Sequence, residues 1–217
     1  MHNEAYTYSR QTLGYPEPTF EISKELNLTK DDFGPYPGDA EIPGGTFVLG
    51  ASPDAEFLFD NEKWAHEVVV YPFKIAKAPV TNEEFAAFVH DDGYIRRDLW
   101  PDIGWSWLQE EDAKHPPHWF SDGHDNWLMK RFDNVVNLPP YKPIIHVNWY
   151  EASAYCNWAG RRLPTELEWE VSASMEPDSC GTMLCGTKRL FPWGNEKNTL
   201  GRANLDGRGM GCVDVAA

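Results

Sequence analysis

Residues 143–170 read PIIHVNWYEASAYCNWAGRRLPTELEWE, and this stretch decides the fold class. Asn148 with Glu151 three residues on, and Thr165 with Glu168 three residues on, are two capping boxes: each short polar side chain accepts from a free helical N–H, and each Glu reaches back to the cap. Between them Ala152, Tyr155, Cys156 and Ala159 recur at helical spacing until Gly160 stops the helix. Ile144, Ile145 and Val147 precede the first cap as a short strand, which places His146 on the face opposite to Ile145 and Val147. Trp158 and Trp169 supply large apolar surface and are expected in the core.

Upstream, Thr81 with Glu84 is a third capping box, opening a helix that carries Phe85, Phe88 and Val89 on one face and stops at Gly93. Residues 46–50 and 67–78 read as strands, the latter alternating Phe73 and Ile75 with Lys74 and Lys77. Residues 94–143 have only short apolar clusters and read as irregular, and the tail from 177 is a series of Gly-rich turns. Residues 1–13 repeat Ala5, Tyr8, Thr12 and Leu13 at helical spacing, closed by Gly14 and Pro16. Residues 14–44 are punctuated by Pro and Gly and form a linker. The expected class is therefore α+β and loop-rich. With a helix lacking a start cap and an end at Val213–Ala217 without a stop, both termini read as cut from something longer.

The chain has 217 residues and 34 acidic against 19 basic side chains, a formal net charge of −15. Such a surface repels phosphate backbones, which excludes nucleic acid as a partner. No apolar run approaches the roughly 18 residues that span a bilayer, and the first residues carry no secretory signal, so neither a membrane nor export is expected and the location is cytoplasmic. Hydrophobic residues at 41%, including 10 Trp, 9 Tyr and 11 Phe, are enough for a packed core. Cys156, Cys180, Cys185 and Cys212 form no CxxC pair and read as reduced thiols; Cys180 and Cys185, in a Gly-flanked loop, are the pair that an oxidising compartment would close.

Most histidines have structural readings. Two prolines keep His115-Pro-Pro-His118 from being a helical ligand pair. His124 lies in a turn composition, His66 at a strand start, His90 at a helix end beside Asp91, and His146 at a core edge. Asp31-Asp32 and Glu110-Glu111-Asp112 are solvated clusters; Glu166, Glu168 and Glu170 suit the first turn of a helix. Cys156 is a small packing residue on its helix. His2 differs, because it stands two residues before Glu4 on a helix, half of a ligand pattern whose other His would lie one turn earlier.

The 143–170 stretch resembles the signature of the formylglycine-generating enzyme (sulfatase-modifying factor) family. IPGGTFVLG at 42–50, KAPVTNEEFAAFVHDDGY at 77–94, and FPWGN with ANLDG at 191–207 agree in order and spacing. That resemblance implies a loop-rich C-type-lectin-like α+β domain over 42–217, truncated at its C-terminus. MHNEAYTYSRQTLGYPEP at 1–18 resembles the end of the DinB-like iron-binding helical domain found before this module in the sulfoxide synthases of ergothioneine, ovothiol and selenoneine biosynthesis. The division implied is 1–20 for that helical end, 21–41 for a linker and 42–217 for the enzyme-like domain.

The resemblance makes His2 one of three histidines on a non-heme Fe(II), where neutral imidazoles leave positions open for O2 and a thiolate. The substrates implied are a histidine betaine, a thiol or selenium donor and O2. The segment TYSRQTLG at 7–14 is closer to the selenoneine-type branch than to the mycobacterial one. Asn204 and the Leu205 carbonyl fall where the formylglycine branch holds a structural Ca2+, although two oxygens are too few to fix it unaided. Cys180, Cys185 and Cys212 match none of the family's copper-binding cysteines, and no catalytic or substrate-binding residue is assigned within the chain. The expectation is a fragment of an iron oxidoreductase, inactive alone. The rivals are a formylglycine-generating oxidase acting on a sulfatase cysteine, and a non-catalytic lectin-like binding module.

Overall fold

The computed structural model describes residues 2–19, 33–54, 58–123, 126–181, 183–197, 201–205 and 211–217. Helices and short antiparallel strands are mixed along the chain, an α+β arrangement, and the described residues fall into two compact units. No helix among them is long and apolar enough to cross a membrane.

The first unit contains residues 1–36, 78–163 and 204–217. Its helices are α1 (His2–Leu13), α2 (Asn82–His90), α3 (Asp102–Glu111) and α4 (Trp149–Trp158). The capping boxes at the starts of α2 and α4 form as expected: Glu84 N–H donates to Thr81 Oγ1 at 3.2 Å and Glu151 N–H to Asn148 Oδ1 at 3.0 Å. α2 and α4 bury Phe85, Phe88, Ala154 and Tyr155 against Tyr94, Leu99, Trp100, Leu108 and Trp119. The rings interlock edge-to-face and stacked, Phe85 lying 5.2 Å from Phe88 and 5.4 Å from Tyr155. Among the described residues the one buried carboxyl of this core is Glu151, at 2% exposure, which accepts from Tyr94 Oη at 2.6 Å and from Asn148 N–H at 2.8 Å.

Residues 94–143 are not irregular. They hold α3 and a three-stranded antiparallel sheet of β5 (Trp119–Ser121), β6 (Trp127–Arg131) and β7 (Asn134–Asn137). β6 is half-buried at every position, so no period of two marks it. α3 starts behind Pro101, and its Gly104 lets the helix press on Tyr150, where an added Cβ would stand 3.1 Å from Tyr150 Cβ. The strand expected at 144–147 is likewise absent: Pro143 forms a single bridge to Thr81, and His146 has φ 63°, which no strand allows.

The second unit contains residues 37–77 and 164–203. β1 (Asp39–Ile42) pairs with β4 (Phe73–Ala76), and β2 (Gly45–Leu49) pairs with β3 (His66–Val70), both antiparallel. The single strand read over 67–78 is thus two strands, broken at Tyr71-Pro72, where Pro72 has no N–H to give a ladder. α5 (Glu166–Ser174) opens on the Thr165–Glu168 box and runs into β8 (Met175–Pro177), which pairs with β9 (Leu184–Lys188). Phe47, Val70, Val171 and Met175 form its core. α5 turns Val171 and Ser174 inward, so Trp169, two residues away on the helix, lies 64% exposed and is not a core residue. Trp158, in the first unit, is half-buried and its indole donates to Asp91 Oδ2 at 2.7 Å.

Candidate functional site

Within the first unit a cleft of about 460 Å3 opens between α1, the β6–β7 hairpin and the loops that carry residues 116–119 and 139–146. α1 forms one wall. The helix ends at Gly14, whose φ of 67° only glycine adopts freely, while Tyr15 N–H caps the Arg10 carbonyl at 3.0 Å. Gln11 fastens the helix to the hairpin turn by two bonds to backbone: its Nε2 donates to the Lys130 carbonyl at 2.9 Å, and its Oε1 accepts from Phe132 N–H at 2.7 Å. Arg131 adds an ion pair to Glu17 at 2.5 Å. Thr7, Tyr8 and Gln11 face the cleft; Trp119, Met129 and Phe132 give it an apolar floor.

His118 and His146 both line this cleft, their ring centres 5.1 Å apart and nearly perpendicular. Both hold left-handed backbone, at φ 70° and 63°, a region uncommon for residues other than Gly, in which Asn, Asp and His are the side chains most often found. Partial burial lowers the affinity of both rings for a proton; the charges of His146 and Lys130 lower His118 further. Both are therefore neutral imidazoles near pH 7. Cys212 lies in the same cleft, half-buried, its thiol pKa raised by burial against the opposing pull of Lys142. Cys156 is also half-buried with a raised thiol pKa, consistent with a packing residue.

The other sequence-level candidates are scattered. His2 lies exposed in the first turn of α1. Gln11 follows it by nine residues, roughly 900° or half a turn out of phase, so His2 is on the side of α1 away from the cleft. Asn204 and Leu205 are exposed, and Asn204 Nδ2 donates to the Gly211 carbonyl at 2.7 Å. His90 Nε2 accepts from the Trp127 indole at 2.7 Å, His66 Nδ1 lies 2.8 Å from the Trp64 carbonyl, and His115 Nδ1 lies 3.0 Å from the Pro116 carbonyl. Glu170 is structural: it accepts from Gly50 N–H and pairs with Lys188. Glu110, Glu111 and Asp112 are exposed at the end of α3. Cys180 is an exposed free thiol, and the side chain of Cys185 lies outside the described ones. His124 and Asp31-Asp32 lie outside the described residues. Among the described residues no three His, Cys, Asp or Glu side chains gather closely enough to hold a metal ion.

The facing of His118 and His146 is what sequence reasoning missed. They are 28 positions apart, each has a structural reading on its own, and a left-handed φ leaves no trace in residue type when the residue is His.

Residues 25–209 match the sulfatase-modifying factor enzyme 1-like domain, and the chain belongs to that family. It is 41% identical over 172 residues to hercynine oxygenase of Mycolicibacterium thermoresistibile, covering 79% of this chain and 36% of that protein. Hercynine oxygenase of Mycobacterium tuberculosis is 39% identical over 172 residues, covering 79% of this chain and 38% of the relative. The formylglycine-generating enzyme of Thermomonospora curvata is 34% identical over 177 residues, covering 76% and 55%. The chain thus spans between about a third and about half of the length of these relatives.

Proposed function

We propose that this chain is part of an oxygenase that acts on a histidine betaine, joining a thiol or selenium donor to the imidazole with Fe(II) and O2. The observation that carries the reading is the graded similarity: 39–41% identity to proteins named hercynine oxygenase against 33–34% to those named formylglycine-generating enzyme. In the same proposal the enzyme-like domain at 42–217 has the C-type-lectin-type fold, and α1 is the end of a DinB-like helical domain, joined to it through residues 21–41.

For iron, the described residues offer His2. One imidazole does not fix a metal ion, and no cluster among the described residues completes a set. The described residues therefore do not make an iron centre by themselves. In the proposed enzyme His2 is one ligand among several. Asn204 with the Leu205 carbonyl is proposed for a structural Ca2+ on the same footing, since oxygen donors suit that ion but two do not suffice.

The second reading, a formylglycine-generating oxidase acting on a sulfatase cysteine, is favoured by the 34% identity to the Thermomonospora enzyme. One experiment separates the two. The natural protein that contains these residues is incubated aerobically with Fe(II), hercynine and a thiol, and in parallel with copper and a sulfatase peptide. A product of hercynine plus the thiol sulfur, read by mass spectrometry and abolished by His2→Ala, supports the proposal. Conversion of the peptide cysteine with hercynine untouched refutes it.

A further inference from the structure

The cleft beside α1 has an electrostatic character opposite to that of the chain. The chain carries a net charge of −15, yet among the described residues no Asp or Glu lines the cleft. Its charged lining consists of Arg131, already paired with Glu17, and Lys142. The Lys142 ammonium has no ion-pair partner among the described residues, nor does either imidazole, of His118 or His146, have a hydrogen-bond partner there. Three donor groups without partners among the described residues thus converge on one concavity with an aromatic floor of Trp119 and Phe132. Polar groups placed this way, in an otherwise apolar pocket of some hundreds of Å3, are what orients a bound small molecule. The left-handed backbone at both histidines is a further mark: such conformations persist where the surroundings impose them, and they gather at ligand sites.

We infer that this cleft is a binding site for a small organic carboxylate with an apolar or aromatic body. The carboxylate accepts from Lys142 and from the ring N–H groups of His118 and His146, and the body lies on Trp119 and Phe132. A cation is the wrong occupant, since Lys142 lines the cleft and the charge of Lys130 reaches His118, while Glu17, the carboxylate beside Arg131, is already engaged by it. The inference does not rest on the role of His2, which lies on the other side of α1.

The test uses phenylacetate as probe and phenylacetamide as its uncharged counterpart, titrated into the chain while the imidazole Cε1–H signals are followed by NMR. The signals are assigned with His118→Gln and His146→Gln. Saturable shifts of both rings with phenylacetate, at least tenfold weaker with phenylacetamide, are expected. Lys142→Met weakens phenylacetate binding roughly tenfold or more, as loss of a charge-assisted hydrogen bond does, and keeps the wild-type melting temperature. Equal response to the two probes, or no saturable response to either, overturns the inference. So does equimolar Zn2+ shifting both rings while phenylacetate leaves them unmoved, which makes the pair a metal site.

Discussion

Removing the hydroxyl of Tyr94 isolates the one carboxyl buried in the aromatic core. Glu151 is 2% exposed; Oε1 accepts from Tyr94 Oη at 2.6 Å and Oε2 caps Asn148 N–H at 2.8 Å. Burial raises the Glu151 pKa above the usual carboxylate range, and these two bonds pull it partly back. Tyr94→Phe leaves Oε1 in a dry site with no donor. A hydrogen bond to a charged group contributes about 1.5–3 kcal/mol, so the variant is expected to lose about that much. For a chain of this size each kcal/mol lowers Tm by roughly 2–4 °C, which gives a drop of about 3–12 °C. Glu151→Gln keeps the shape: its carbonyl accepts from Asn148 N–H and its amide donates to Tyr94 Oη. It is expected within about 1 kcal/mol of wild type at pH 7, the lost charge at the helix start being worth a fraction of that.

The pH dependence has a definite sign. A raised folded pKa means that between the unfolded and folded values the native state binds more protons than the unfolded one. The contribution of Glu151 is then fully present below the unfolded pKa and is lost as pH rises through the folded one. The difference in stability between wild type and Glu151→Gln, from urea unfolding at a series of pH values, falls across that window. A Tyr94→Phe cost below about 0.5 kcal/mol, or a flat difference curve, refutes this account of the core.

Gly93→Ala places a Cβ inside the ring of Phe88, which is fully buried and cannot turn aside; overpacking of about 1–3 kcal/mol is expected from urea unfolding. Gln11→Ala removes both bonds that fasten α1 to the hairpin, so faster amide exchange over residues 2–13 is expected with residues 45–49 unchanged, and equal protection in both proteins refutes the clamp. Trp169→Ala is expected to cost less than about 0.5 kcal/mol, whereas Phe47→Ala, at 0% exposure, costs about 3–5 kcal/mol; the reverse order would mean that α5 is turned the other way. Equilibrium dialysis of the 217-residue chain against Fe(II) is expected to show weak binding or none, and stoichiometric tight iron would overturn the reading of His2 as a partial ligand set.

What the sequence determined by itself is local or carried by motif. The three capping boxes at Thr81, Asn148 and Thr165 are spaced for bonds between neighbours three residues apart, and the structure makes all of them. The stops at Gly14 and Gly160, the α+β class and the family followed from residue type and order, whereas α2 ends at His90 and it is Asp92 rather than Gly93 that takes the left-handed turn. Only the tertiary structure decided which faces are buried. β6 is legible as a strand through its partners β5 and β7 and not through its own pattern, and Trp169 looks like a core residue until the turn of α5 points it outward. Pro72 cuts one apparent strand into two because the halves pair with different partners. The cleft was hidden for the same reason. His118 comes from one loop and Lys142 with His146 from another, far apart in sequence, with α1 brought against them by Gln11, and both histidines hold left-handed backbone.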